Sequence, residues 1–368
     1  MADAYSERSA TRLLDILLAF FVALAVALRP MLPGHGGGAN LWVEMCVFIA
    51  AMCWLVRMAM ARRLRIVFTG VGIPLAVLLA IAGFSTLRSP HQAASVSTLL
   101  EWVSYAALFL VLVNATAGRL DRRFVLRLLW ASAFVVCLYG LFQQFVNLPL
   151  LREQILADRE RVIRELQLRP EDYDNLAARA SGRIFSTFLL ANSFAGFLAL
   201  VTPGFVGYVL DRLRAGDRRA PFLVASALWV GGTLACLLLT FSKGGWVAFA
   251  VGSGLFCLML GRALLRRHWP WVAGIAASAA LGIGTLFTTG VIPARIFSDA
   301  VRSMDVRVGY WRTGWAMATD NLLGGVGLGA FGSHYPRYRW VLARVTQQAH
   351  NDYLQVLAEL GVFGLAAF

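Results

Sequence analysis

Residues 221–240 read PFLVASALWVGGTLACLLLT, twenty positions without one charged side chain. A run of that length spans a hydrocarbon core of roughly 30 Å as a helix, and in lipid only helices and closed barrels satisfy their own backbone polar groups. The run decides the fold because it is repeated. Apolar stretches recur at about 13–32, 41–60, 66–87, 94–114, 124–147, 186–210, 221–240, 245–265, 270–290 and 350–368. The sequence therefore predicts an all-α polytopic membrane protein with about ten transmembrane helices. The last run is still apolar at Phe368, which leads us to expect a longer parent chain. Arg8, Arg12 and the Ala25-Val26-Ala27 stretch mimic a signal peptide, but the first run is long and further spans follow, so a retained helix is expected.

The composition agrees with this expectation: 59% hydrophobic, 15% charged, mean hydropathy +0.66. All five cysteines lie inside apolar runs with no CxxC pair, which points to small buried hydrophobes rather than disulfides or zinc ligands. The net charge of +14 suggests nucleic acid until its distribution is read. With the N-terminus inside, the short inner loops hold thirteen arginines, among them Arg62, Arg122, Arg218 and Arg266, and the short outer loops hold only Arg88 and Lys243. That asymmetry is a positive-inside signature, so most of the basicity encodes topology and no nucleic-acid partner is expected.

The organisation follows from the runs. Residues 1–147 form helices one to five, 148–185 an outer (periplasmic) loop, 186–290 helices six to nine, 291–349 a long outer loop and 350–368 the start of helix ten. Short amphipathic helices are expected in both loops. The first loop is charge-balanced, and spacings such as Glu160–Arg164 and Glu153–Arg161 suit a surface helix. Its Asp172-Tyr173-Asp174 superficially matches a metal-clamping DxD but falls on the outer side. Within the spans, Asp15, Glu44 and Arg57 lie near enough to helix ends to snorkel, and Glu101 is placed to bond a neighbouring helix.

Four residues stand at outer boundaries or in outer loops: Arg183, Lys243, Arg307 and His350. Lys243 is the single lysine in the chain and, in a short turn Thr240–Gly245, is a flexible point charge suited to phosphate. The long loop carries seven arginines against three aspartates, basic charge on the side that the topology rule disfavours, and so invites an anionic ligand. Arg307–Arg312 is read as the beginning of an amphipathic helix, and Gly324–Gly332 as a tight backbone turn near a ligand or lipid head group, without the βαβ context of a nucleotide fold. His350 is read as beginning a helix, where the N-terminal dipole disfavours imidazolium and leaves a neutral base. Cations that hold an anion beside one proton acceptor make a metal-free chemistry.

These residues resemble the O-antigen ligase and polymerase (Wzy_C-type) membrane proteins. His350-Asn351, nine residues, then Gly361-Val362-Phe363-Gly364 matches that family's H-[N/S/Q]-x9-G-x-x-G pattern. Arg307 with Trp311 is similar to its R-x3-[L/W] element, and 324–332 to its glycine turn, with Leu322-Leu323 where proline-leucine is usual. Arg183 with Thr187 and Asn192 is similar to the start of the domain, and Ser242-Lys243-Gly244 to an S-R-G turn with lysine for arginine. The resemblance covers about 183–364. It implies glycosyl transfer at the outer face of the bacterial inner membrane, with no cofactor. The donor it implies is a glycan on undecaprenyl diphosphate, and the acceptor a sugar hydroxyl on lipid A-core, another lipid-linked repeat or a protein. His350 would be the general base; Arg183, Lys243 and Arg307, with Arg312 and Asn351 beside them, would bind the diphosphate or substrate. The alternative that the resemblance leaves open is an O-antigen or exopolysaccharide polymerase of the same family. The reading from another class is a transporter that uses Glu44 and Glu101, against which no internal repeat is visible.

Overall fold

The structure is a computed structural model that describes residues 2–32, 38–61, 66–67, 69–116, 120–165, 182–188, 190–259, 296–340 and 345–368. Among these residues every regular element is helical: α1 (Ala2–Leu28), α2 (Gly38–Met60), α3 (Gly72–Arg88), α4 (Gln92–Thr116), α5 (Arg122–Phe142), α6 (Leu148–Ala157), α7 (Arg159–Glu165), α8 (Ala191–Arg214), α9 (Ala220–Leu239), α10 (Lys243–Met259), α11 (Ile296–Asp320), α12 (Phe331–Tyr338) and α13 (Asp352–Ala367). Among the described residues six stretches are long and apolar enough to cross a membrane: Ala10–Leu28, Leu41–Met60, Gln92–Thr116, Arg122–Ala157, Ala191–Arg214 and Ala220–Leu239. The expected runs at 66–87 and 245–265 appear as shorter apolar helices, Gly72–Arg88 and Lys243–Met259. The run at 270–290 and the Asp172-Tyr173-Asp174 segment lie outside the described residues.

Three expectations are revised. The helix expected over 186–210 starts at Ala191, because the residues before it are irregular and spend their polar groups elsewhere: Phe185 N and Ser186 N both donate to Gln143 Oε1 at 2.9 Å. Gln143 opens a five-residue π turn, Gln143–Asn147, so α5 passes into α6 without a break. Second, Asp15 and Arg57 form an ion pair with each other, which neutralises both inside apolar helices. Third, Glu101 accepts from Tyr105 Oη at 2.7 Å one turn along its own helix, not from a neighbour. In the first outer loop the i,i+4 pair that forms is Arg161–Glu165, at 2.8 Å. The cysteines are free; Cys46, Cys53, Cys137 and Cys236 are buried, as small hydrophobes are expected to be.

The chain divides into two compact units. One comprises Met1–Ala19, Val47–Arg119 and Ala277–Phe368; the other comprises Phe20–Cys46 and Leu120–Ala276. In the first unit, Met317, Phe331, Tyr335 and Ala358 form a core in which α11, α12 and α13 meet. Next to α3, Leu78, Ala82, Leu328, Val356 and Leu360 make a second cluster. Gly314 is the contact point of α11 with α13: a Cβ there would meet Leu354 Cδ2 at 3.0 Å. In the second unit, α8 packs on α10 where a Cβ on Gly245 would lie 2.4 Å from Ala195 Cβ, and Trp229 Nε1 ties α9 to α5 by donating to Trp130 O at 2.9 Å.

Candidate functional site

Four of the sequence-marked residues fall in the first unit: Arg307 and Arg312 on α11, then His350 and Asn351 ahead of α13. Asn351 is the N-cap of α13; its Oδ1 accepts from Leu354 N at 3.2 Å, the side-chain bond that satisfies one of the orphan donors of a first turn. His350 therefore precedes the helix. Its backbone is left-handed, φ 52°, a conformation that costs a residue other than glycine about 1–2 kcal/mol. The surroundings must hold it there.

The imidazole stands against the ring of Tyr310, centroids 5.5 Å apart, with Arg307 one turn earlier on the same helix. Burial of part of the ring, and next the positive charge of Arg307, push the His350 pKa below its ordinary value. The expected direction is found with a different cause. Desolvation first, and a neighbouring cation second, lower the pKa that the helix dipole was expected to lower. Thr346 Oγ1 lies 3.4 Å from His350 Nε2 and donates its own hydrogen to Gln348 O at 2.8 Å. With that hydrogen spent on Gln348 O, the Thr346 oxygen is available to accept from the ring, an arrangement that matches an imidazole with hydrogen on Nε2.

Arg307 does not begin a helix: α11 starts eleven residues earlier, at Ile296, and Arg307 lies in its middle. Trp311, i+4 from it, packs against the buried cluster, which turns that stripe of the helix inward. Arg312 is about 140° further round the helix by its spacing of five residues. Its guanidinium is stacked over the Trp340 ring, 5.3 Å from the centroid.

The glycine turn is as tight as expected. Gly325, Gly327 and Gly329 all have positive φ (65°, 112° and 68°). What it binds is α13 itself. At Gly361 the helix breaks (φ 71°, ψ −169°), so the carbonyls of Ala358 and Glu359 lose their donors four residues on. Val326 N and Gly327 N take them over, at 2.9 and 3.1 Å, and Val362 N donates instead to Leu322 O at 2.8 Å. A Cβ on Gly361 would sit 2.3 Å from Leu323 O. Expected as a helix-packing position, Gly361 is a helix break filled by backbone. The turn is also pinned to α3 and α4, since Leu328 N donates to Ser85 Oγ at 3.0 Å and Leu328 O accepts from Ser95 Oγ at 2.6 Å.

Two residues of the site were passed over in the sequence. Glu359, 4% exposed, accepts from Gly329 N (2.9 Å), Phe331 N (3.2 Å) and Gln355 Nε2 (2.7 Å); Gln355 Oε1 in turn accepts from Ala349 N at 2.7 Å. The signal was present: Glu359 is the one charged residue in the apolar run after Asp352, and Gln355 is its i−4 neighbour.

Arg183 and Lys243 belong to the second unit, on adjoining segments. Ile184 N donates to Leu239 O at 3.2 Å, Arg183 Nε to Thr240 O at 2.9 Å, and Arg183 Nη2 to Asn192 Oδ1 at 3.3 Å. These bonds lay Arg183 along the 240–242 turn. Ser242 then caps α10, its Oγ accepting from Gly245 N at 3.1 Å, so Lys243 is the first residue of that helix. A cation there opposes the helix dipole, while an anion suits both the ammonium and a helix N-terminus.

Residues 227–368 match the family model described as O-antigen ligase, Wzy_C. The matched range includes Lys243, Arg307, Arg312, His350 and Asn351; Arg183, where the sequence pattern appeared to start, precedes it. No curated protein and no solved structure matches the chain.

Proposed function

We propose that this chain, whose residues 227–368 match an O-antigen ligase model, transfers a glycan from an undecaprenyl diphosphate donor to a sugar hydroxyl at the outer face of the inner membrane. The family match itself implies membrane glycosyl transfer in O-antigen assembly. The observation that carries the finer reading is the pairing of Arg307 with His350. Burial first, and the charge of Arg307 second, favour a neutral imidazole, and the same guanidinium suits a diphosphate, so base and anion site support each other.

In this reading His350 takes the proton of the acceptor hydroxyl. The acceptor oxygen bonds to the anomeric carbon as the bond from that carbon to the diphosphate oxygen breaks, and the leaving diphosphate keeps the electron pair. Negative charge grows on the diphosphate in the transition state, where a fixed guanidinium contributes most. Arg307 is the cation placed beside the base. Lys243, at a helix N-terminus, and Arg183, held along the same turn, are suited to the diphosphate by chemistry and sequence pattern. Arg312 supports α11 through Trp340, and Asn351 caps the helix behind the base. The donor is already activated, so the residues need supply only charge neutralisation and a proton acceptor. Deleting the gene and examining the surface glycan tests the reading: loss of glycan attachment or length is expected, and an unchanged glycan profile would contradict it.

A further inference from the structure

We propose that Gln355 and Glu359 are positioning residues for His350, joined to it by a polar relay inside α13 that fixes the left-handed turn on which the imidazole stands. The inference rests on the reading of His350 as the base. Hydrogen-bond polarity fixes the relay. The backbone N–H of Ala349 can only donate, so the group of Gln355 that meets it at 2.7 Å is the amide oxygen. The NH2 group is thereby turned the other way, where it donates to Glu359 Oε1 at 2.7 Å. Glu359 holds the end of Gln355 that faces away from the loop.

Glu359 is itself fixed by backbone. Its Oε2 accepts from Gly329 N and its Oε1 from Phe331 N, so three donors surround one buried carboxylate. These bonds offset the cost of burying it. The glycine turn is thus connected to the loop that holds the base: Gly329 to Glu359, Glu359 to Gln355, Gln355 to Ala349, and Ala349 to His350 by the peptide bond. On the far side of His350, Asn351 O accepts from Gln355 N at 2.8 Å and Asn351 Oδ1 accepts from Leu354 N. Gln355 therefore grips both flanks of the strained residue, by side chain before it and by backbone after it. Without the side-chain grip, a φ of 52° loses its anchor on that flank, and the ring would leave the face of Tyr310 and the field of Arg307 on α11.

The test compares the full-length wild type with Gln355→Met, which keeps side-chain length and loses the relay, and with His350→Ala. Three quantities are read: kcat and donor KM for glycan transfer, and the pH dependence of His350 carbethoxylation by diethyl pyrocarbonate, followed by peptide mass spectrometry. Gln355→Met, with wild-type melting, should keep its KM and lose about a hundredfold in kcat, as a misplaced catalytic group does. Its carbethoxylation midpoint should rise toward that of an ordinary imidazole, because the ring leaves the cation and the desolvating contacts. An unshifted midpoint in the folded variant overturns the proposal. Hydrogen exchange in the wild type gives a variant-free check: the Ala349 amide should be protected, and exchange at the rate of a free amide overturns the relay. Full activity in His350→Ala would remove the general-base reading alone, since the carbethoxylation shift does not depend on transfer.

Discussion

The proposed role of His350 leans on three neighbours that are separate in the sequence. Desolvating contacts and then Arg307 lower its pKa, Tyr310 stands against its ring, and Thr346 Oγ1 lies 3.4 Å from Nε2. The sign of the pH dependence follows. A depressed pKa means that the neutral, base-competent form dominates above it and is lost as pH falls through it, so the acid limb of kcat/KM should lie below the ordinary imidazole value of about 6.5. Replacing Arg307 by Gln removes one lowering contribution and leaves burial in place. The carbethoxylation midpoint of His350 in Arg307→Gln should therefore move upward without reaching the value of a free imidazole. A midpoint that stays or falls would show that Arg307 does not act on the ring. At this scale the sequence marked His350 and Arg307 from their neighbouring residue patterns. It did not mark Tyr310, Thr346 or Gln355, because their roles depend on where α11 and the 345–351 segment lie in space.

Among elements, α13 carries most of the design. Its pattern of glycines was legible, and so was an apolar helical run; the break was not. Gly361-Val362-Phe363-Gly364 read alone suggests small residues on a packing face. Only the approach of Leu322 and Leu323 shows that Gly361 needs φ 71° and has no space for a side chain. Gly361→Ala should therefore destabilise the protein by more than the about 1–3 kcal/mol of backbone strain alone, because a Cβ would also strike Leu323 O. A thermal melt in detergent reads this directly, and a wild-type melting temperature would contradict the account. The same lesson applies to the start of α8. The apolar run begins near 186, yet the helix waits until Ala191 because Gln143, more than forty residues upstream, captures the amides of Phe185 and Ser186. Local sequence has no access to that bond.

At the scale of the whole molecule, apolar run length and arginine asymmetry were enough to read a helical membrane protein, since both are set by the bilayer rather than by tertiary detail. Six helical stretches long and apolar enough to cross a membrane, and two shorter apolar helices, fall on the expected runs among the described residues. The family reading from scattered motifs is matched over 227–368. Unit boundaries were not legible, because the first unit joins residues near the N-terminus to the C-terminal Arg307–His350 region by packing of α3 and α4 against the glycine turn and α13. The central claim concerns one proton acceptor within that frame. Its most direct test is glycan transfer by purified full-length protein in liposomes from an undecaprenyl diphosphate glycan, wild type against His350→Ala. The account predicts that the variant inserts and melts like the wild type while transfer falls to background; wild-type transfer by His350→Ala would contradict it.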